Sequence, residues 1–213
     1  MMEDHVFYDC ATAPSPRRAR MFIVEKGLDI PTVQVDLRND EQLGDVFRAI
    51  NPRCTVPALK LPDGTVLGDN ASIARYLEEI RPAPPLMGRD PVEKAVIAEW
   101  NAVAESDGLL AMAETIRNSL PGLKGRALTG PQNYEQIPAL AERGKARVGY
   151  FFELLNARLI DHAYLGGDRF SVADITAFVV VEFAGWVKLV PPGRQTALIE
   201  WRTAIAQRPS ANK

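Results

Sequence analysis

Cysteine and histidine are scarce in this chain, and the scarcity excludes several classes of protein. Two cysteines, Cys10 and Cys54, cannot build a disulfide framework, so one bridge at most is open and a reducing cytoplasm is the simplest setting. The two histidines, His5 and His162, stand alone without ligand spacing around them, which predicts no metal site. Long apolar runs are missing too. The most apolar stretch, Ile175 to Val181, falls far short of the ~20 residues a membrane-spanning helix needs. The opening Met-Met-Glu-Asp-His lacks the basic-then-apolar pattern of a signal peptide. Nor does charge of one sign dominate: 25 Lys and Arg face 27 Asp and Glu, a net charge of -2. That balance speaks against a general binder of nucleic acid or of anionic membranes. Arg17, Arg18 and Arg20 form a dense basic cluster, but it is too short to act as a tail.

What the chain does have is an ordinary globular composition, with 46% hydrophobic and 24% charged residues over 213 positions. That length suits one or two domains with a substantial core. The first eighty residues alternate in period. Val6 to Tyr8 reads as a strand, and Pro16 to Lys26 as a helix closed by Gly27. Thr32 to Asp36 alternates as a second strand, and Glu41 to Ile50 reads as a helix stopped by Asn51-Pro52. A hairpin and a third helix follow, giving the order β-α-β-α-β-β-α and hence a small mixed sheet covered by helices.

Pro82, Pro84, Pro85 and Pro91 then interrupt any helical pattern, so 82–90 is read as a linker between domains spanning 1–81 and 91–213. Beyond it strand signals almost vanish, and an all-helical second domain is predicted. Val92 to Asn118 reads as helix, and Ser119 to Pro138 as a loop or broken helix. Ala139 to Asp161 carries Val148, Phe151, Phe152, Leu155 and Leu159 on one stripe. Ser171-Val-Ala-Asp174 has the pattern of a capping box, with Phe170 and Ile175 placed as a hydrophobic staple. The helix behind it is apolar nearly all round to Trp186, which predicts a central position. A final helix is expected over about Gln195 to Gln207.

Residues 51–77 say more about function than the rest of the chain together. Apolar runs Val56 to Leu61 and Thr65 to Leu67 flank Pro62-Asp63-Gly64, a hairpin signal. A helix follows at once, capped by Asp69 or Asn70, with Ile73, Tyr76, Leu77 and Ile80 on one face. The start of that helix gathers unpaired N–H groups that attract carboxylates. The backbone of Val56, held before Pro57, can pair with an extended peptide.

This stretch resembles the second half of the thioredoxin-like domain of cytosolic glutathione S-transferases, here of a bacterial type with a Ser-Pro motif at the first helix. Gly166 to Asp174 resembles the family's capping motif, and Trp201 with Arg208-Pro209-Ser210 its last helix. The likeness covers essentially the whole chain and implies an α+β fold, a thioredoxin-like domain joined to a helical one, assembled as a cytoplasmic homodimer. It implies a cis Val56-Pro57 peptide whose Val56 backbone holds the cysteinyl unit of glutathione. Asp69 and Asn70 would hold the γ-glutamyl end, with Asn70 standing where relatives usually have Ser. Gln42 lies where relatives often place a residue near the glycyl carboxylate. Glutathione would be co-substrate, with no metal, and an electrophilic apolar molecule would meet its sulfur. The electrophile pocket is expected between the domains, near the Asp9–Pro14 loop, Met112, Ile116 and Trp186.

Such chemistry needs a thiolate, and a free thiol with a pKa of about 8.5 is only slightly ionised at neutral pH. A hydroxyl at a helix amino terminus favours the anion through both its hydrogen bond and the helix dipole. Ser15 is the residue the resemblance places in that role, although Ser before Pro is also an ordinary N-cap. Tyr8, Thr12 and Cys10 compete for the sulfur. Cys10 would favour mixed disulfides and thus a thiol-disulfide or peroxide enzyme. A non-catalytic binding or regulatory module on the same fold is the other alternative.

Overall fold

The computed structural model describes residues 2–213, which fall into two compact units. One runs to Pro84 and takes in 129–132 and Lys213; the other comprises Pro85–Leu128 and Asn133–Asn212. The chain therefore passes from one unit to the other inside the proline-rich stretch 82–90.

The first unit strings together β1 (Val6–Asp9), α1 (Pro14–Glu25), β2 (Thr32–Gln34), α2 (Asp45–Ile50), β3 (Ala58–Lys60), β4 (Val66–Leu67) and α3 (Asn70–Ile80). Its sheet has the order β2-β1-β3-β4. A helical crossover makes β1 and β2 parallel, whereas β1 with β3, and β3 with β4, run antiparallel. This is the small mixed sheet expected from the alternating pattern, in the thioredoxin-like arrangement that the family resemblance implies. The β3–β4 turn works as its residues suggest: Asp63 Oδ1 accepts the Thr65 N–H at 2.9 Å, and Gly64 takes a φ of 88° that other residues resist. Helix α1 buries Ala19, Met21, Phe22 and Ile23, and α3, which packs beside it, buries Ile73, Ala74 and Leu77. Lys26 is buried at the end of α1. Its ammonium pairs with Glu78 and donates to the carbonyls of Arg81 at 2.9 Å and Pro84 at 2.5 Å, so a fully paired charge fastens the unit's exit.

Several boundaries differ from expectation, among them β2, which ends at Gln34 and not at Asp36. Helix α1 starts at Pro14 with Ala13 as its N-cap, so Ser15 is the second helical residue and caps nothing. The expected helix from Glu41 is a 3-10 turn, Glu41–Leu43, followed by Gly44 in extended conformation; α2 begins only at Asp45. A first 3-10 turn at Leu37–Asn39, capped by Asp36, and a left-handed Asp40 leave no room for a longer helix.

The second unit contains α4 (Pro91–Val103), a π-helical turn (Ala104–Leu109), α5 (Leu110–Arg117), α6 (Pro138–Asp161), α7 (Val172–Ala184) and α8 (Thr196–Ala206). Every residue from Ala173 to Val181 is buried, and α4, the π turn, α5 and α8 all pack on α7, as its all-round apolar character predicts. The expected continuous helix from Val92 to Asn118 is broken by the π turn. There Gly108 lies so close to Phe151 that a Cβ would stand 2.6 Å from the ring. Helices α5 and α6 approach equally closely at Gly144, where a Cβ would lie 2.5 Å from Thr115 Oγ1. Ser119 to Pro138 holds a 3-10 turn, Pro121–Leu123. Trp186 closes α7 in another such turn, 59% exposed and edge-on to Phe183.

The capping box at Ser171 is present and centres on a fully buried carboxylate. Asp174 accepts from the N–H groups of Leu165 and Ser171, from Ser171 Oγ and from Trp201 Nε1, at 2.8–3.0 Å. Burial pushes its pKa up to about 6 against the pull of those four donors. Among the described residues no helix is long and apolar enough to cross a membrane.

Candidate functional site

Three backbone features of the first unit converge on one end of the sheet. The first is the start of α1. An ordinary helix leaves four N–H groups free there, but Pro14 and Pro16 have none and Arg17 N–H already reaches Ala13 O at 3.3 Å. Ser15 is thus left with an N–H and a hydroxyl proton that both lack a protein acceptor among the described residues.

The second is the segment before β3. The Val56-Pro57 peptide is cis, and neither the N–H nor the C=O of Val56 has a hydrogen-bond partner among the described residues. The register explains why. Tyr8 stands opposite Ala58, so Val56 lies beyond the last paired residues of β1 and keeps a free peptide edge. Asn51, buried, holds this loop in place: its Nδ2 donates to Thr55 O at 2.8 Å and its Oδ1 accepts the Arg53 N–H at 3.1 Å. In the sequence Asn51 reads only as a helix stop. Its spacing of two and four residues from Arg53 and Thr55 is the signal that points to the further role.

The third is the start of α3. Asp69 is its N-cap, with Oδ1 accepting the Ser72 N–H at 2.8 Å and its other oxygen unengaged. The N–H groups of Asn70 and Ala71 remain free among the described residues, a small anion seat at a helix start. Asn70 reaches across to α1, where its Nδ2 donates to Ser15 Oγ at 3.0 Å. Its Oδ1 is buried and unpartnered.

The loop between β1 and α1 is clamped by side chains that no local sequence pattern singles out. Buried Asp9 accepts from Arg20 Nη1 at 2.6 Å and from Gln34 Nε2 at 2.9 Å. Gln34 Oε1 in turn accepts the Ala11 N–H at 2.8 Å, while Arg20 Nη2 donates to Ala11 O at 3.2 Å. Both sides of the Ala11 residue are held, which fixes the approach to Ser15. Arg20 lies two turns into α1 and Gln34 ends β2, so only the fold brings them together.

The competing residues are differently placed. Tyr8 packs edge-on against Phe47, with ring centroids 5.9 Å apart. Cys10 is buried, its Sγ 3.6 Å from the hydroxyl of exposed Thr12. Gln42 is buried with its Nε2 turned to Asp40 Oδ1 at 3.3 Å and its Oε1 unpartnered, so the atom left over is an acceptor. Met112 and Ile116 lie in the core of the second unit. Among the described residues no group of three or more His, Cys, Asp or Glu could hold a metal ion.

Both units have counterparts among known proteins. A model of the glutathione S-transferase N-terminal domain matches residues 12–80, and one of the C-terminal domain matches 124–209. Glutathione S-transferase 2 of Saccharomyces cerevisiae is 35% identical over 217 aligned positions, covering 100% of this chain and 90% of its own. A solved glutathione S-transferase domain-containing protein from Marinobacter aquaeolei is 36% identical with a TM-score of 0.88, covering 96% of this chain and 98% of its own. The structure of Gtt2 from Saccharomyces cerevisiae superposes with a TM-score of 0.89 at 31% identity, over 97% of this chain and 98% of its own. The similarity spans both units in sequence and in structure, and the chain belongs to the glutathione S-transferase family.

Proposed function

We propose that this protein is a glutathione transferase that holds the tripeptide along the free edge of Val56, ionises its thiol beside Ser15, and directs the thiolate at a small apolar electrophile. The observation that carries the reading is Ser15 itself, whose N–H and hydroxyl stand without protein acceptors among the described residues, at a helix start that two prolines have otherwise stripped of donors. A charge-assisted O–H···S⁻ bond and the dipole of a twelve-residue helix both stabilise the thiolate over the thiol.

The remaining ends of the ligand find complementary groups. The γ-glutamyl carboxylate meets the free N–H groups of Asn70 and Ala71, and the α-ammonium meets the unengaged oxygen of Asp69. The Val56 backbone, next to Pro57, pairs with the cysteinyl unit as an added strand would. Gln42 enters at the glycyl end only by rotating its amide away from Asp40. The protein works in the cytoplasm as a homodimer. Conjugation joins the sulfur to the electrophilic carbon, expels the leaving group with its electron pair where there is one, and uses no metal.

Ser15→Ala tests this. Loss of a hydrogen bond to a charged atom costs about 1.5–3 kcal/mol, so kcat/KM with an aryl halide at neutral pH should fall about ten- to hundredfold. Glutathione affinity, carried by the other groups, should change by no more than a few-fold. Unchanged kcat/KM in Ser15→Ala with loss in Cys10→Ser would instead indicate disulfide chemistry.

A further inference from the structure

Asn70 and Ser15 are 55 residues apart in sequence, yet Asn70 Nδ2 stands 3.0 Å from Ser15 Oγ. A serine hydroxyl has one proton to give and two lone pairs to receive with. In Ser15 a lone pair is taken by the Asn70 amide, and the proton has no acceptor among the described residues. The usual escape for a helical serine, donation back to a carbonyl one turn earlier, is not made here. The hydroxyl is therefore held as a donor before any ligand arrives. An amide N–H on its oxygen also polarises the O–H bond and strengthens what it donates.

The other end of the same amide is equally specific. Asn70 Oδ1 is buried with no partner, a costly state unless something fills it. An unpaired amide oxygen at the start of α3 suits an N–H donor such as an ammonium and not an anion.

We infer that Asn70 is a positioning residue for the thiolate: its amide N–H fixes the Ser15 hydroxyl as a donor toward the glutathione sulfur, while its Oδ1 takes an N–H of the γ-glutamyl ammonium. Ligand binding at one end of the amide thereby secures the hydroxyl at the other. This rests on Ser15 being the hydroxyl beside the sulfur, and goes beyond it by giving Asn70 an effect on ionisation as well as on binding.

The test is the thiol pKa of bound glutathione, read by ultraviolet difference absorbance against pH in wild type, Asn70→Ala, Asn70→Asp, Ser15→Ala and the Ser15→Ala/Asn70→Ala double variant. Asn70→Ala is expected to raise that pKa by roughly half a unit to one unit. Asn70→Asp, nearly isosteric and therefore the safer variant for folding, should raise it further, because a carboxylate draws the Ser15 proton to itself and adds a like charge. The double variant should match Ser15→Ala. Weaker binding of glutathione with an unmoved pKa in both Asn70 variants would overturn the inference and leave Asn70 a ligand contact alone. A lowered pKa in Asn70→Ala would overturn it in the opposite sense, showing that Asn70 had been accepting the proton. If Ser15→Ala leaves the pKa unmoved, the reading of Ser15 fails and this inference with it. If Ser15→Ala raises the pKa and Asn70→Ala does not, only the inference fails.

Discussion

Asp174 shows how much one residue can ask of its surroundings. Its carboxylate joins the Leu165 backbone, the Ser171 cap and the Trp201 indole, and burial raises its pKa to about 6 from an ordinary value of 3.8. Between those values the folded protein binds a proton that the unfolded chain does not. Stability from this group is therefore largest below pH 3.8 and falls as pH rises toward 6, by about 3 kcal/mol in all. Urea denaturation of wild type and Asp174→Asn from pH 4 to 7 should show the difference between them shrinking by roughly that amount. Exposed Asp36, Asp63 and Asp90 have the opposite sign. The Asn39 side chain at Asp36, the Thr65 N–H at Asp63 and the Glu93 N–H at Asp90 hold their pKa values below normal, so their contribution is lost on acidification. Asp90 does so as the cap of α4, where the N–H groups of Val92 and Glu93 bind its carboxylate at 2.9 Å. At this scale the sequence is readable wherever partners are close in the chain. Asp174 with Ser171 and Asp63 with Gly64 are local patterns. Trp201 on Asp174, Asn70 on Ser15 and Gln34 on Asp9 lie 27, 55 and 25 residues apart, and no periodicity carries such pairs.

Elements follow the same division. The alternation of the first eighty residues is enough to order the strands and helices, because burial on one face leaves its period in the sequence. Where each helix begins depends on finer things. Pro14 already satisfies the helical φ, so α1 starts two residues ahead of the expected Pro16 and turns Ser15 from a cap into a free donor. The π turn before α5 and the crossing of α5 with α6 are not legible in the sequence, since both depend on glycines that make room for a neighbour far along the chain. Gly144→Ala measures that room. Alanine favours an isolated helix by about 1 kcal/mol, but its Cβ would fall 2.5 Å from Thr115 Oγ1 and 2.6 Å from Ala111 O. The clash should outweigh the gain, with a net loss of about 1–2 kcal/mol seen as a lower denaturation midpoint. An unchanged or raised midpoint would mean that α5 and α6 can part at little cost.

For the molecule as a whole, the proline-rich stretch 82–90 marks where one unit gives way to the other, and the paired Lys26 fastens the first unit's exit there. The proposed homodimer predicts a sedimentation mass twice that of the chain at micromolar concentration, and a monomer mass would refute it. The proposed reaction requires Val56, Ser15 and Asn70 of the first unit to hold one extended ligand together. A crystal structure with glutathione bound tests this most directly. The sulfur should lie about 3–3.5 Å from Ser15 Oγ, with the cysteinyl backbone paired to Val56. A sulfur seated against Cys10 or Thr12, with Ser15 Oγ out of reach, would contradict the proposed mechanism.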